Sequence, residues 1–125
     1  MHANRGHYLL PFIHSPDAVL LFEPADGTLL DFNTSAAELL GLDDTSRQAR
    51  QLPDLHDAEA ALLRHLVDEA LNASTGQRAR LNYRAADGRL IPADVALSRL
   101  PADGGDLLLC VAREVLDRDD HVRRM

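Results

Sequence analysis

Tryptophan is missing from this chain of 125 residues, cysteine occurs once and methionine twice. A single cysteine forms no intrachain disulfide, which excludes a disulfide-stapled scaffold and fits a reducing compartment. Cys110 lies inside the apolar run Leu107 to Ala112 and reads as a small buried hydrophobe. Long apolar runs are also lacking. The stretch Tyr8 to Ile13 is broken by Pro11 and is too short for a signal peptide or a spanning helix, so a cytoplasmic protein is expected. Basic residues are scarce, 13 Lys and Arg against 20 Asp and Glu, and the formal charge of -7 repels phosphate backbones and anionic lipid. No like-charge run exceeds two residues, as at Asp43-Asp44 and Arg123-Arg124. Neither nucleic acid nor membrane is an expected partner.

What is present is the composition of one globular domain, 46% apolar and 26% charged, with length for a single core. Residues 1–14 form a lead-in whose Tyr8, Leu9, Leu10, Phe12 and Ile13 need a surface to cover. Ala18 to Glu23 is an apolar run of strand length. Asp26-Gly27 then signals a turn, and Thr28 to Phe32 returns as the second strand. Ser35 and Glu38 stand at capping-box spacing, which predicts a helix closed by Gly41. Asp43 to Leu55 supports only a short helix or turn. Asp57 to Thr75 predicts the longest helix, with Asp57 as cap and Gly76 as stop. On its wheel Leu62, Leu63, Leu66, Val67, Ala70 and Leu71 fall on one side, and Arg64, His65, Asp68 and Asn72 opposite.

Three strands follow. In Arg78 to Arg84 the residues Ala79, Leu81 and Tyr83 alternate with arginines and Asn82, the pattern of an edge strand with one wet face. Asp87-Gly88 turns into Leu90 to Leu100, and a further turn leads to Leu107 to Arg113, apolar on both faces like Ala18 to Phe22. Two-sided burial places those last two runs in the interior of the sheet.

The segments Ser15-Pro16-Asp17-Ala18, Asp26-Gly27, Asn33-Thr34-Ser35-Ala36-Ala37-Glu38-Leu39-Leu40-Gly41, Asp87-Gly88 and Pro92 stand in an order and spacing that resembles the PAS family over roughly residues 15 to 114. The resemblance implies an α+β fold: a five-stranded antiparallel sheet in order 2-1-5-4-3 with helices packed on one face around a ligand pocket. It also implies a sensory module, not an enzyme, that binds a small ligand or forms a homodimer. Such a module would control an output domain in the same polypeptide, such as a sensor kinase or a cyclic-dinucleotide enzyme. The family carries signals out through the end of the last strand. Here that junction is Glu114-Val115, with residues 115–125 as the start of a linker helix, although Glu114-Val115-Leu116 departs from the Asp-Ile-Thr common at that point.

Within this expectation the pocket is framed by Leu20, Phe22, Leu39, Leu62, Leu66, Leu81 and Val95, with Arg78 or Arg80 as a charged anchor for a carboxylate. The dimer is expected through the lead-in residues Tyr8, Leu9, Leu10, Phe12 and Ile13. Some PAS sensors take a haem ligand from the long helix, where His65 lies, but the wheel turns His65 about 150° from the apolar stripe, which disfavours haem. His56, just before the expected cap, is the second histidine of interest and reads as structural. A flavin photosensor needs its cysteine on a helix, and Cys110 is in a strand. The six histidines show no paired spacing for a metal, and no nucleophile with a base, no paired carboxylates and no phosphate loop can be found. A purely protein-binding, ligand-free dimerisation module is the alternative.

Overall fold

The computed structural model describes residues 15–46, 49–72 and 76–115. Its elements run β1 (Ala18–Phe22), β2 (Leu29–Phe32), α1 (Thr34–Leu40), a 3-10 turn (Asp44–Ser46), α2 (Leu52–Leu55), α3 (Ala60–Asn72), β3 (Gln77–Arg84), β4 (Leu90–Leu100) and β5 (Leu107–Glu114). The strands form one antiparallel sheet in the order β2-β1-β5-β4-β3. This is the order the resemblance implies, with β1 and β5 inside and β3 at an edge.

Side-chain alternation divides the sheet into two faces. Ala18, Leu20 and Phe22 of β1, Leu81 and Tyr83 of β3, and Ala93, Val95 and Leu97 of β4 point toward the helices and form the main core with Leu40, Leu55, Leu63 and Leu66. Each fully buried Leu or Phe side chain contributes on the order of 2 kcal/mol of apolar burial. On the other face, Leu21, Leu30 and Leu107 make a smaller cluster flanked by Leu100, Ala102 and Leu109. All five residues of β1 are therefore buried, as its two-sided pattern requires.

The first helix begins differently from the capping-box reading. Its cap is Asn33, whose side chain accepts from the Ala36 amide at 2.9 Å, while Ser35 donates to the Ser15 carbonyl and Glu38 is exposed. Asn33 also accepts from the Val19 amide at 2.9 Å and donates through its side-chain nitrogen to the Asp17 carbonyl at 3.0 Å. A side chain that closes a helix and a strand together outcompetes a purely local cap. Gly41 ends the helix with φ 71°, a left-handed conformation that favours glycine.

The long helix is shorter at its start than expected, beginning at Ala60. Asp57 does not cap it. Its amide donates to the Asn82 carbonyl at 2.7 Å, and its carboxylate accepts from Arg84 at 2.8 Å, so Asp57 belongs to the edge of β3. Gly76 stands where the chain passes close to β4, because a Cβ there would lie 2.7 Å from the Leu97 carbonyl oxygen. Residues 73–75, between it and the end of the helix, lie outside the described residues. Among the described residues no helix is long and apolar enough to cross a membrane. The lead-in of residues 1–14 and the linker segment after Val115 lie outside the described residues.

Candidate functional site

Leu20, Phe22, Leu66, Leu81 and Val95 are buried on the helix side of the sheet, and Leu39 packs partly buried against them. Leu62 does not join them. It is 44% exposed, because α3 turns Leu63, Leu66 and Ala70 inward and leaves Leu62 on the flank of the stripe. Arg78 and Arg80 are also excluded from this interior. The period of two that buries Leu81 and Tyr83 sends both arginines to the opposite face, where they are exposed and cannot anchor a ligand in the core. His65 is exposed on α3.

The polar chemistry of the interior lies instead at His56 and Tyr83. His56 directly follows α2 and forms an isolated antiparallel bridge with Tyr83 of β3. Their rings stand 4.3 Å apart between centroids and are inclined by 45°, with the Phe22 ring 6.1 Å from that of His56. The His56 Nδ1 lies 2.8 Å from the Leu52 carbonyl oxygen. A carbonyl only accepts, so Nδ1 carries the proton and Nε2 presents a lone pair. Neither His56 Nε2 nor the Tyr83 hydroxyl finds a hydrogen-bond partner among the described residues, although both are buried.

Burial explains the electrostatics of this group. Desolvation, opposed by the Leu52 carbonyl, pushes the His56 pKa down to about 4, so the ring is neutral at pH 7. The same desolvation, with Cys110 adding to it, raises the Tyr83 phenol well above its ordinary value. Burial pushes the Cys110 thiol up to about 12. These are three neutral groups of which two have unused hydrogen-bonding capacity. The alternation of β3 points Tyr83 inward but does not distinguish its phenol from the apolar side chains beside it. Nothing in the local pattern marked His56 as buried.

A short relay of main-chain contacts joins this pair to the end of β5. Asp57, next to His56, donates to the carbonyl of Asn82, and Asn82 stands opposite Pro92 in the β3–β4 ladder. The Pro92 carbonyl in turn accepts from the Val115 amide at 2.8 Å. Glu114 is exposed and lines a groove of about 310 Å³ between the start of β1 and α1, with Pro16, Ala18, Glu38 and Leu39 on its walls.

The outer face of the sheet carries a second groove, of about 580 Å³, with Ala96 and Val111 on its floor and Asp17, Arg78, Arg80, Asp94 and Arg113 around it. Arg80 donates to Asp94 at 2.6 Å, and Arg113 to the two Asp17 oxygens at 3.2 and 3.3 Å. No three His, Cys, Asp or Glu side chains among the described residues are grouped to hold a metal ion.

This sheet order, with helices on one face and a last strand held between the first and the fourth, is the architecture of the PAS fold. A family model described as the PAS fold matches residues 12–120, and the chain belongs to that family. No curated protein sequence matches it. Among solved structures, the PAS domain of an HTR-like protein from Haloarcula marismortui is similar at 22% identity and a TM-score of 0.71, over 90% of this chain and 91% of that one. A PAS domain from Colwellia psychrerythraea is similar at 14% identity and a TM-score of 0.74, covering 88% and 95%. The PAS domain of nitrogen regulation protein NR(II) from Vibrio parahaemolyticus follows at 16% identity and a TM-score of 0.66, covering 89% and 98%.

Proposed function

We propose that this PAS domain is a cytoplasmic sensory module that takes a small ligand at His56 and Tyr83 and controls an output domain in the same polypeptide. The observation that carries the reading is the pair of buried polar atoms, His56 Nε2 and the Tyr83 hydroxyl, with no partner among the described residues. A buried polar group left unpaired costs about 1–3 kcal/mol, and a ligand that satisfies both gains that amount. The matching chemistry is a donor for Nε2 beside an acceptor for the phenol, as in a neutral carboxylic acid or a primary amide.

Neither His56 nor Tyr83 lines the two grooves described above, and in this reading a ligand reaches the pair as α2 or α3 moves off the sheet. Such a movement pulls on Asp57, and through Asn82 and Pro92 on Val115, which is the proposed exit for the signal. The domain itself performs no catalysis in this reading. The likeness to a PAS domain from a two-component sensor histidine kinase, and to a domain of a sensory box sensor histidine kinase/response regulator from Geobacter sulfurreducens, supports an output of that kind.

Thermal-shift titration with a panel of small carboxylic acids, primary amides and phenols tests the proposal. At least one class should stabilise the wild type, and Tyr83→Phe, which keeps the ring, should weaken that binding about tenfold, the factor for one hydrogen bond of roughly 1.4 kcal/mol. A panel without effect, or one acting equally on both proteins, overturns it. A second reading, a ligand-free dimerisation module, is favoured by one observation, the open groove across the outer face of the sheet.

A further inference from the structure

Arginines on β3, β4 and β5 are paired with carboxylates at four positions. Arg80 meets Asp94 at 2.6 Å, Arg84 meets Asp57 at 2.8 Å, Arg99 meets Asp106 at 3.6 Å and Arg113 meets Asp17 at 3.2 Å. Arg78 is the exception. It is exposed on the outer face of β3 and finds no carboxylate among the described residues.

The strand register gives the reason. Arg80 stands opposite Asp94 of β4, whereas Arg78, two residues earlier on the same face, stands opposite Ala96, and Ala96 stands opposite Val111 of β5. Beside the unpaired guanidinium the sheet thus carries a short apolar shelf. That shelf is the floor of the outer groove of about 580 Å³, and the charges around it are Arg78, Arg80 and Arg113 against Asp17 and Asp94. Three guanidinium groups against two carboxylates leave the rim positive on a chain of formal charge -7, so an anion repelled by the rest of the surface is drawn to this place.

We propose that the groove is a binding site for a small monocarboxylate with an apolar body, separate from the interior pair His56 and Tyr83. The carboxylate accepts from Arg78 and Arg80, which stand about 7 Å apart along the strand, and the body lies over Ala96 and Val111. Arg80 donates to Asp94 through Nε, so its Nη groups keep donors for a second acceptor. The volume falls in the range of about 300–1,000 Å³ usual for small-molecule sites. Asp94 and Asp17 set the selectivity. A second negative charge on the ligand would meet one of them, which disfavours dicarboxylates and phosphate, and a neutral ligand leaves Arg78 unpaired.

Titration of the full chain, labelled with nitrogen-15, against benzoate and read through backbone amide shifts tests the site. The amides of Arg78, Ala96 and Val111 should move together and saturate with a dissociation constant of about 1 mM, weaker as salt rises. Arg78→Gln should weaken binding about fivefold. Ala96→Glu supplies a carboxylate opposite Arg78, as Asp94 does for Arg80, and should abolish binding while the amide spectrum stays that of the folded domain. Tyr83→Phe should leave it unchanged. Absence of a saturable shift overturns the site, as does Ala96→Glu binding benzoate like the wild type. Shifts confined to the surroundings of His56 and Tyr83 overturn it too, but leave the interior reading standing. Benzyl alcohol or inorganic phosphate binding as tightly as benzoate overturns the assigned ligand class.

Discussion

The rings of His56 and Tyr83 lie 4.3 Å apart inside the core, each with one buried polar atom that finds no partner among the described residues. Their interaction is one of shape and burial, and it makes the domain sensitive to the protonation of the imidazole.

Acid should therefore weaken the fold. His56 titrates near 4 in the folded chain against about 6.5 when unfolded, so below pH 6.5 the unfolded state binds the extra proton first. Stability is fully present above about pH 6.5 and falls as the pH drops toward 4, by on the order of 3 kcal/mol. Urea melts between pH 4 and 7 measure this, and His56→Phe should flatten that part of the curve. An equal slope in both proteins would assign the acid sensitivity to carboxylates.

Replacing Asn33 with alanine should cost about 2–3 kcal/mol. The side chain caps α1 and also satisfies the buried amide of Val19, so the loss exceeds that of an ordinary cap. Chemical denaturation of Asn33→Ala and Asn33→Asp separates the two contributions. The aspartate still accepts from both amides but cannot donate to the Asp17 carbonyl, and should recover at least half of the loss.

Gly76→Ala should destabilise by about 1–3 kcal/mol, the range for overpacking. The added carbon would meet the Leu97 carbonyl oxygen at 2.7 Å, so β3 must draw away from β4 at its first residue. Hydrogen exchange should show faster exchange at the Gln77 end of the β3–β4 ladder than at the Arg84 end. A loss confined to global stability, with the ladder evenly protected, would contradict this cause.

Cys110 should resist thiol reagents in the native state. It is buried, and its thiol titrates near 12, so almost no thiolate exists at neutral pH. Labelling with a disulfide reagent should follow global unfolding in rate and denaturant dependence. Rapid labelling of the folded chain would show that the sheet opens locally at β5.

The strands were legible because their pattern needs no knowledge of the partner: the alternation in Arg78 to Arg84 and the two-sided runs at β1 and β5 fix face and position together. Asp57 and Leu62 differ from the sequence reading for separate reasons. Asp57 is held by the edge of β3 through Asn82 and Arg84, so the helix starts at Ala60. Leu62 is inside the helix but on the flank of its apolar stripe. A place for Arg78 and Arg80 in the pocket conflicts with the alternation of β3 itself, which sends both side chains outward. The burial of His56 was not legible, because it depends on Phe22 and Tyr83, which meet it only in the folded chain.

The contact between Asp17 and Arg113 spans 96 positions in sequence and marks the corner where the chain both enters β1 and leaves β5. Because those strands are antiparallel neighbours, a load applied through the two connections acts on their hydrogen bonds one pair after another, starting at Ala18 and Ala112. The sheet would open like a zip and not slide as a block. The domain is mechanically soft along the line that runs through these two strand ends, and tension there reaches the central strands first.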